Sequence, residues 1–256
     1  MMRDIRKAAA IALAAAALIL PSLSGAAGAQ DIDAPKRVLV YGDSNAWGWV
    51  PTEDGFPAVR LPDGERFAGV LEATLGEGYE VIVDGLSNRT ANLGDPQDWG
   101  NMLARAFKGA AGLPGAIARA LPLDLVVVTL GTNDTKAPFD RSAEEIGEVA
   151  IGLARIVASS TGVATAYLAP KVLIVSPPPI GSMNHDGIAR LYAGGDVKSA
   201  RFTRAFAAAA DAAGVPIFAA EEAMGTSDGF DGVHFSIEDY RQLGERLAPV
   251  VAKLTD

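Results

Sequence analysis

The chain has 256 residues, 49% of them hydrophobic, with 22 Lys and Arg against 31 Asp and Glu, two histidines and no cysteine. That is enough apolar material for a substantial core, and one α/β domain is the simplest reading of the length. The acidic balance argues against nucleic acid or anionic membrane as a partner, and the lack of cysteine excludes disulfides, thiolate nucleophiles and cysteine-ligated zinc.

At the N-terminus, Arg3, Arg6 and Lys7 precede an apolar run from Ala8 to Leu20, and Ala27-Gly28-Ala29 has the small-x-small pattern of a signal-peptidase site. The run is shorter than the roughly 20 residues of a membrane span. The pattern predicts a signal peptide over 1–29 with cleavage after Ala29, and export to the periplasm or the medium. An uncleaved anchor is the alternative. A chain starting at residue 30 would carry 19 basic and 30 acidic residues, a formal charge of −11. It would form a single domain over 30–256 with no stable membrane insertion.

Arg37 to Tyr41 is an apolar run that stops at Gly42-Asp43-Ser44, a strand presenting a hydroxyl at its carboxyl end. Trp47 to Gly64, with several Gly and Pro residues, reads as a long loop. Phe67, Val70, Leu71 and Leu75 have helical spacing within Glu65–Leu75. Glu80 to Asp84 is a second strand, leaving through the polar turn Gly85-Leu86-Ser87-Asn88-Arg89-Thr90. Asn92 to Leu121 reads as short helices broken at Gly112, Pro114 and Gly115. Leu125 to Leu130 is the clearest strand, and its unbroken apolar run suits an interior parallel position. It ends in Gly131-Thr132-Asn133-Asp134.

Ser142 and Glu145 form a capping box before a helix whose apolar face runs from Ile146 to Val157. Lys171 to Ser176 is a fourth strand. A helix over Val197–Ala213 and a short strand at Val215–Ala219 follow. Asp231-Gly232-Val233-His234 then leads into a last helix capped by Ser236. Strands alternating with helices predict a three-layer α/β/α fold, with a five-stranded parallel sheet of order 2-1-3-4-5. Strands one and three would be neighbours at the switch point, which brings Ser44 and Asn133 to one crevice.

A hydroxyl needs a base to act as a nucleophile at neutral pH. Asp231 lies three residues before His234, so one turn can aim its carboxylate at the imidazole and leave the other nitrogen for Ser44. His185 sits in a loop that no strand directs, which suits a surface or substrate-edge role. The oxyanion formed on acyl attack needs preset donors. The Ser44 amide, the Asn133 side chain and the turn at Asn88 are the candidates, although Asn133 could instead cap a helix. Asp43 and Asp134 read as loop-ordering groups that accept backbone amides. Trp47 and Trp49 either line the mouth of the site or pack on the body of the protein. Two histidines leave no means of building a multi-histidine metal centre.

Gly42-Asp43-Ser44, Gly131-Thr132-Asn133-Asp134 and Asp231-Gly232-Val233-His234 resemble, in order and spacing, three blocks of the SGNH (GDSL) hydrolases. Trp47-Gly48-Trp49-Val50-Pro51, Gly85-Leu86-Ser87, Gly131-Thr132-Asn133-Asp134-Thr135-Lys136-Ala137 and Lys171 to Pro179 resemble its bacterial arylesterase and acyltransferase branch. The resemblance covers nearly all of the chain after residue 29. It implies Ser44 as nucleophile, His234 and Asp231 as its partners, and oxyanion donors at Ser44, Asn88 and Asn133. Where the family usually has glycine, this chain has Asn88.

These readings together predict a serine esterase of small or aryl esters working through an acyl-enzyme, with transfer of the acyl group to alcohols as a further expectation. They imply a small-molecule ester substrate, no cofactor and no metal. Self-association is an expectation of the resemblance. The alternatives are a carbohydrate acetylesterase, a lysophospholipase or thioesterase with the same three residues, and a catalytically silent binding module.

Overall fold

Lys36 to Gly42 forms β1, an interior strand of a parallel sheet, its apolar residues fully covered on both faces. The computed structural model describes residues 34–53, 55–95, 103–160 and 167–256, with the backbone alone for 55–58. The expected signal peptide over 1–29 lies outside the described residues. After β1 come α1 (Ser44–Trp47), β2 (Trp49–Thr52), β3 (Gly55–Arg60), α2 (Phe67–Leu75), β4 (Tyr79–Gly85), α3 (Gly109–Ala120) and β5 (Leu125–Thr129). The chain continues through α4 (Ala143–Ala158), β6 (Lys171–Ser176), α5 (Asp186–Leu191), α6 (Gly195–Ser199) and α7 (Phe202–Ala213). It closes with β7 (Ile217–Ala219), α8 (Glu221–Met224) and α9 (Ile237–Thr255).

The main sheet has the order β4-β1-β5-β6-β7, all pairs parallel, which is the predicted 2-1-3-4-5 arrangement. Successive side chains of a strand point to opposite faces, and the two cores divide on that period. Val38, Val40, Leu125, Val127, Leu173 and Val175 meet Phe67, Leu71, Leu243, Leu247 and Val251 from α2 and α9. Leu39, Tyr41, Val126, Val128 and Ile174 meet Leu113, Ile117, Ile146, Leu153 and Phe206 from α3, α4 and α7. Each such side chain, fully buried, contributes about 1.5–3 kcal/mol of hydrophobic stabilisation. Both layers are therefore needed, and the crevice lies at the carboxyl ends of β1 and β5.

Both predicted caps form. Ser142 and Glu145 exchange hydrogen bonds at the start of α4, and Ser236 and Asp239 do so at the start of α9. Three expectations are corrected. The segment expected as a long loop after Trp47 contains an antiparallel ribbon, β2 with β3, in which Trp49 faces Arg60 and Val50 faces Val59. Pro51 and Pro57 mask the strand pattern, and a two-stranded ribbon outside the main sheet tolerates them. The helix α3 runs unbroken through Gly112, Pro114 and Gly115. Burial of Leu113, Ala116 and Ile117 outweighs the hydrogen bond that proline cannot make. The helix expected over Val197–Ala213 is two helices, α6 and α7. Ser199 turns its hydroxyl to the Ile180 amide (2.8 Å), which docks α6 on the loop after β6, while Phe202 and Phe206 enter the α4 side of the core.

Candidate active site

β1 ends where there is no space for a side chain. A Cβ on Gly42 would stand 2.1 Å from Thr129 Oγ1 and 2.6 Å from the Ala46 Cβ. The chain turns directly into α1, with Asp43 accepting the Asn45 amide at 2.9 Å as the N-cap. Ser44 is thereby the first residue of a helix, at the rim of the sheet. Asn45 ties this elbow to a distant segment, donating to the Val233 carbonyl and accepting the Phe235 amide, each at 3.2 Å.

That distant segment carries Asp231 and His234. Gly232 has φ +73° and a Cβ there would meet the Gly181 backbone at 2.7 Å, so the turn is closed to other residues. Asp231 Oδ1 accepts the Val233 and His234 amides at 3.0 and 2.9 Å, while Oδ2 meets His234 Nδ1 at 2.7 Å. His234 Nε2 lies 3.0 Å from Ser44 Oγ. The Trp49 ring stacks on the imidazole at 5.4 Å between centroids. Burial opposes ionisation of Asp231, but the hydrogen bond from His234 and the two amides outweigh it and hold the carboxyl below its ordinary range.

Ser44 and His234 open into a cavity of about 230 Å³, whose walls include Trp49, Asn88, Asn133, His185, Ile188, Leu191 and Tyr192. Asn88 has φ +66°, the left-handed region that asparagine enters more readily than most residues. Asn133 Nδ2 donates to the Arg89 carbonyl at 3.1 Å and to Asp43 Oδ2 at 3.3 Å. Its Oδ1 accepts the Tyr192 hydroxyl at 2.7 Å, which fixes the amide orientation. Both Nδ2 contacts are to protein acceptors. Burial first, then nearby carboxylates, raise the Tyr192 hydroxyl well above its ordinary pKa, so it stays a donor.

Beneath the cavity lies a set of buried ionisable groups. Lys136 Nζ donates to Asp95 Oδ2 (2.6 Å) and Asn88 Oδ1 (2.8 Å). Burial pulls the Lys136 ammonium below its ordinary range while Asp95 pushes it back up. Burial raises the Asp43 carboxyl to about 6 and the Asp134 carboxyl to about 7. Asp134 accepts the Ala91 amide at 2.9 Å, so both carboxylates order loops, as their sequence positions suggest. Arg89 reaches the Gly42 and Asp84 carbonyls at 2.7 and 2.6 Å and lies 4.1 Å from the Tyr41 ring centroid.

The structure thus brings Ser44, His234, Asp231, Asn88, Asn133 and Trp49 together. Trp47 is not among the lining residues. It packs 5.9 Å from Trp49 and is covered by the Arg60 guanidinium at 4.7 Å, because α1 turns it away from the cavity. His185 is at the cavity wall, where its Nδ1 accepts the Ile188 amide at 3.4 Å and caps α5. Asn45, Tyr192, Lys136 and Asp95 were not legible as site residues. Each acts through a partner 41 or more positions away, which no local spacing signals. Among the described residues, no group of three or more His, Asp or Glu side chains could hold a metal ion, and no helix is long and apolar enough to cross a membrane.

The chain belongs to the GDSL-like lipase/acylhydrolase family, whose model matches residues 40–242, and it is a carboxylic ester hydrolase. The structure of the M. smegmatis aryl esterase is 44% identical in sequence, with a TM-score of 0.80, covering 86% of this chain and 99% of that one. A carbohydrate acetylesterase from Sinorhizobium meliloti is 41% identical with the same TM-score and coverage. A second carbohydrate acetylesterase family member from that organism is 31% identical, with a TM-score of 0.75 and the same coverage. No curated protein matches the chain in sequence.

Proposed function

We propose that the chain is an exported serine esterase that cleaves small or aryl carboxylic esters through an acyl-enzyme on Ser44. The observation that carries this reading is the continuous hydrogen-bonded run from Asp231 through His234 to Ser44. His234 Nε2 takes the Ser44 proton as Oγ attacks the acyl carbon, and Asp231 holds Nδ1 protonated and stabilises the imidazolium. The carbonyl oxygen, now negative, meets the Ser44 amide, the Asn88 amide and the Asn133 Nδ2. Collapse expels the alcohol or phenol, which takes the proton from His234. Water then enters, activated by the same nitrogen, and the acid leaves.

The cavity's apolar wall of Trp49, Ile188 and Leu191 supports a further step, transfer of the acyl group to a small alcohol held better than water. Export is supported by the basic residues, apolar run and Ala27-Gly28-Ala29 at the N-terminus. A second reading, deacetylation of carbohydrate, is favoured by the likeness to the S. meliloti acetylesterase. The discriminating experiment is fluorophosphonate labelling with peptide mapping, followed by a panel of aryl esters of rising acyl length and acetylated sugars. Label on Ser44 with turnover of short aryl esters is expected. Label elsewhere, or no turnover of any ester, would sink the proposal, whereas a preference for sugar acetates would move it to the second reading.

A further inference from the structure

One buried cation beside the site has no part in the steps above. Lys136 is 1% exposed and its partner Asp95 0%. A buried ion pair is a poor source of net stability, since desolvation offsets most of the attraction. Lys136 does not line the cavity, so it does not touch the substrate. It stands between two residues that do. Its Nζ bonds Asn88 Oδ1 at 2.8 Å, and lies 5.9 Å from the ring centroid of Tyr192, whose hydroxyl holds Asn133. Asn88 occupies a left-handed conformation, which asparagine enters more readily than most residues but glycine adopts without a Cβ penalty. Neither the backbone turn nor the asparagine alone accounts for an ammonium committed to that side-chain oxygen.

We infer that Lys136, anchored by Asp95, is a positioning residue for oxyanion stabilisation: it grips Asn88 Oδ1 and so holds the Asn88 peptide in the left-handed turn that keeps its N–H at the Ser44 cavity. The inference rests on the serine-esterase reading. It assigns the asparagine side chain a purpose: it is the handle by which a fixed cation stiffens a turn that glycine would leave loose. Asp95 holds the cation, and the turn holds the amide.

The test is a cycle of wild type, Lys136→Met, Asn88→Gly and the double variant, with kcat and KM measured on a short aryl acetate. Lys136→Met is expected to lower kcat about 10- to 100-fold with KM changed less than about threefold, because the lost contact matters at the transition state. In the Asn88→Gly background the same substitution should cost less than about threefold, since glycine has no Oδ1 to grip. Equal losses in the two backgrounds, or wild-type kcat in Lys136→Met, overturn the inference. Should Lys136→Met fail to fold with the Asp95 ion pair removed, Asn88→Ala leaves that pair intact, and there a wild-type kcat overturns it. A crystal structure of whichever variant folds reads the turn without substrate: residues 85–90 unchanged, with position 88 still left-handed, would also overturn it. Failure of the esterase reading looks different, as wild-type turnover retained in Ser44→Ala.

Discussion

Asp231 and His234 lie three residues apart and reach Ser44 through contacts of 2.7 and 3.0 Å, with the turn's own amides supplying the rest of the support. The part of the site around Asn88 and Asn133 is built otherwise. Asn88, Asn133, Tyr192, Lys136 and Asp95 come from four separate stretches of chain and are joined by side-chain bonds across 41 to 59 positions. In the proposed mechanism the first region moves a proton and the second receives a charge. Proton transfer needs one short, correctly ordered chain of atoms, and a tight local turn provides it. Charge stabilisation needs donors that do not move, and a buried polar network provides that rigidity at the cost of desolvating its members.

The sharpest way to break this comparison is to remove one member from each region. Ser44→Ala and His234→Ala should each lower kcat by about 10⁴-fold or more, and the double variant should be scarcely worse, because the members act as a unit. Asn133→Ala should cost about 10²–10³-fold, the loss of a single oxyanion donor. Steady-state kinetics on an aryl acetate decides. If Asn133→Ala matched Ser44→Ala, the two regions would not be separable.

The buried carboxyls respond to pH in opposite directions. Asp231 is held below its ordinary range, so it contributes stability above the unfolded carboxyl range that is lost as pH falls through its folded pKa. Asp43 and Asp134 are raised, from 3.8 to about 6 and about 7. The folded chain therefore binds these protons more tightly than the unfolded chain, and stability falls as pH rises from 3.8 towards 7. The effect is on the order of a few kcal/mol. Thermal melts at pH 5 and pH 8 should show the fall, and Asp134→Asn should flatten it. A slope unchanged in that variant would contradict the assignment.

Tyr192→Phe removes only the hydroxyl that orients the Asn133 amide. A drop in kcat of about tenfold with KM nearly constant is expected, since a partly misaligned donor still contributes. A rise in KM with kcat unchanged would instead make Tyr192 a wall for substrate.

How much was legible follows the same division. The parallel order could be read because Val38-Leu39-Val40 and Leu125 to Val128 are continuous apolar runs, which only an interior strand buries on both faces. Ser44, Asn133, Asp231 and His234 could be singled out because each closes a strand or sits in a short turn. The ribbon of β2 and β3 was hidden by its prolines, and α3 by a proline that tertiary burial overrides. Trp47 and Trp49 looked equivalent in the sequence. α1 and the left-handed Gly48 that ends it (φ 93°) set them apart, with the Trp49 ring on the histidine and the Trp47 ring under Arg60. Lys136 lies in a block that resembles the family, but its role, like that of Tyr192, could not be read from sequence, since it is set by partners far along the chain.

The smallest expected effect tests whether the proton-transfer region is as self-contained as its contacts imply. Ser236 caps α9 two residues after His234, accepting the Asp239 amide at 3.1 Å. Asp239 Oδ2 accepts the Ser236 and Asp228 amides in return, each at 2.9 Å, so the cap also holds the start of the histidine loop. Ser236→Ala removes one half of the box and leaves the Asp239 carboxylate in place. Loss of a single cap costs about 1 kcal/mol, which for a chain of this size lowers Tm by roughly 2–4 °C. His234 is held independently by Asp231, by the Ser227 hydroxyl on its carbonyl at 2.9 Å, and by Asn45 on its neighbours. The variant should therefore melt earlier while keeping kcat within about twofold of wild type, since surface effects away from the reacting atoms are small. Differential scanning calorimetry alongside kinetics measures both. If kcat fell by tenfold or more at a temperature where the variant is fully folded, the histidine loop would depend on the α9 cap, and the local turn from Asp231 to His234 would not suffice to set the geometry.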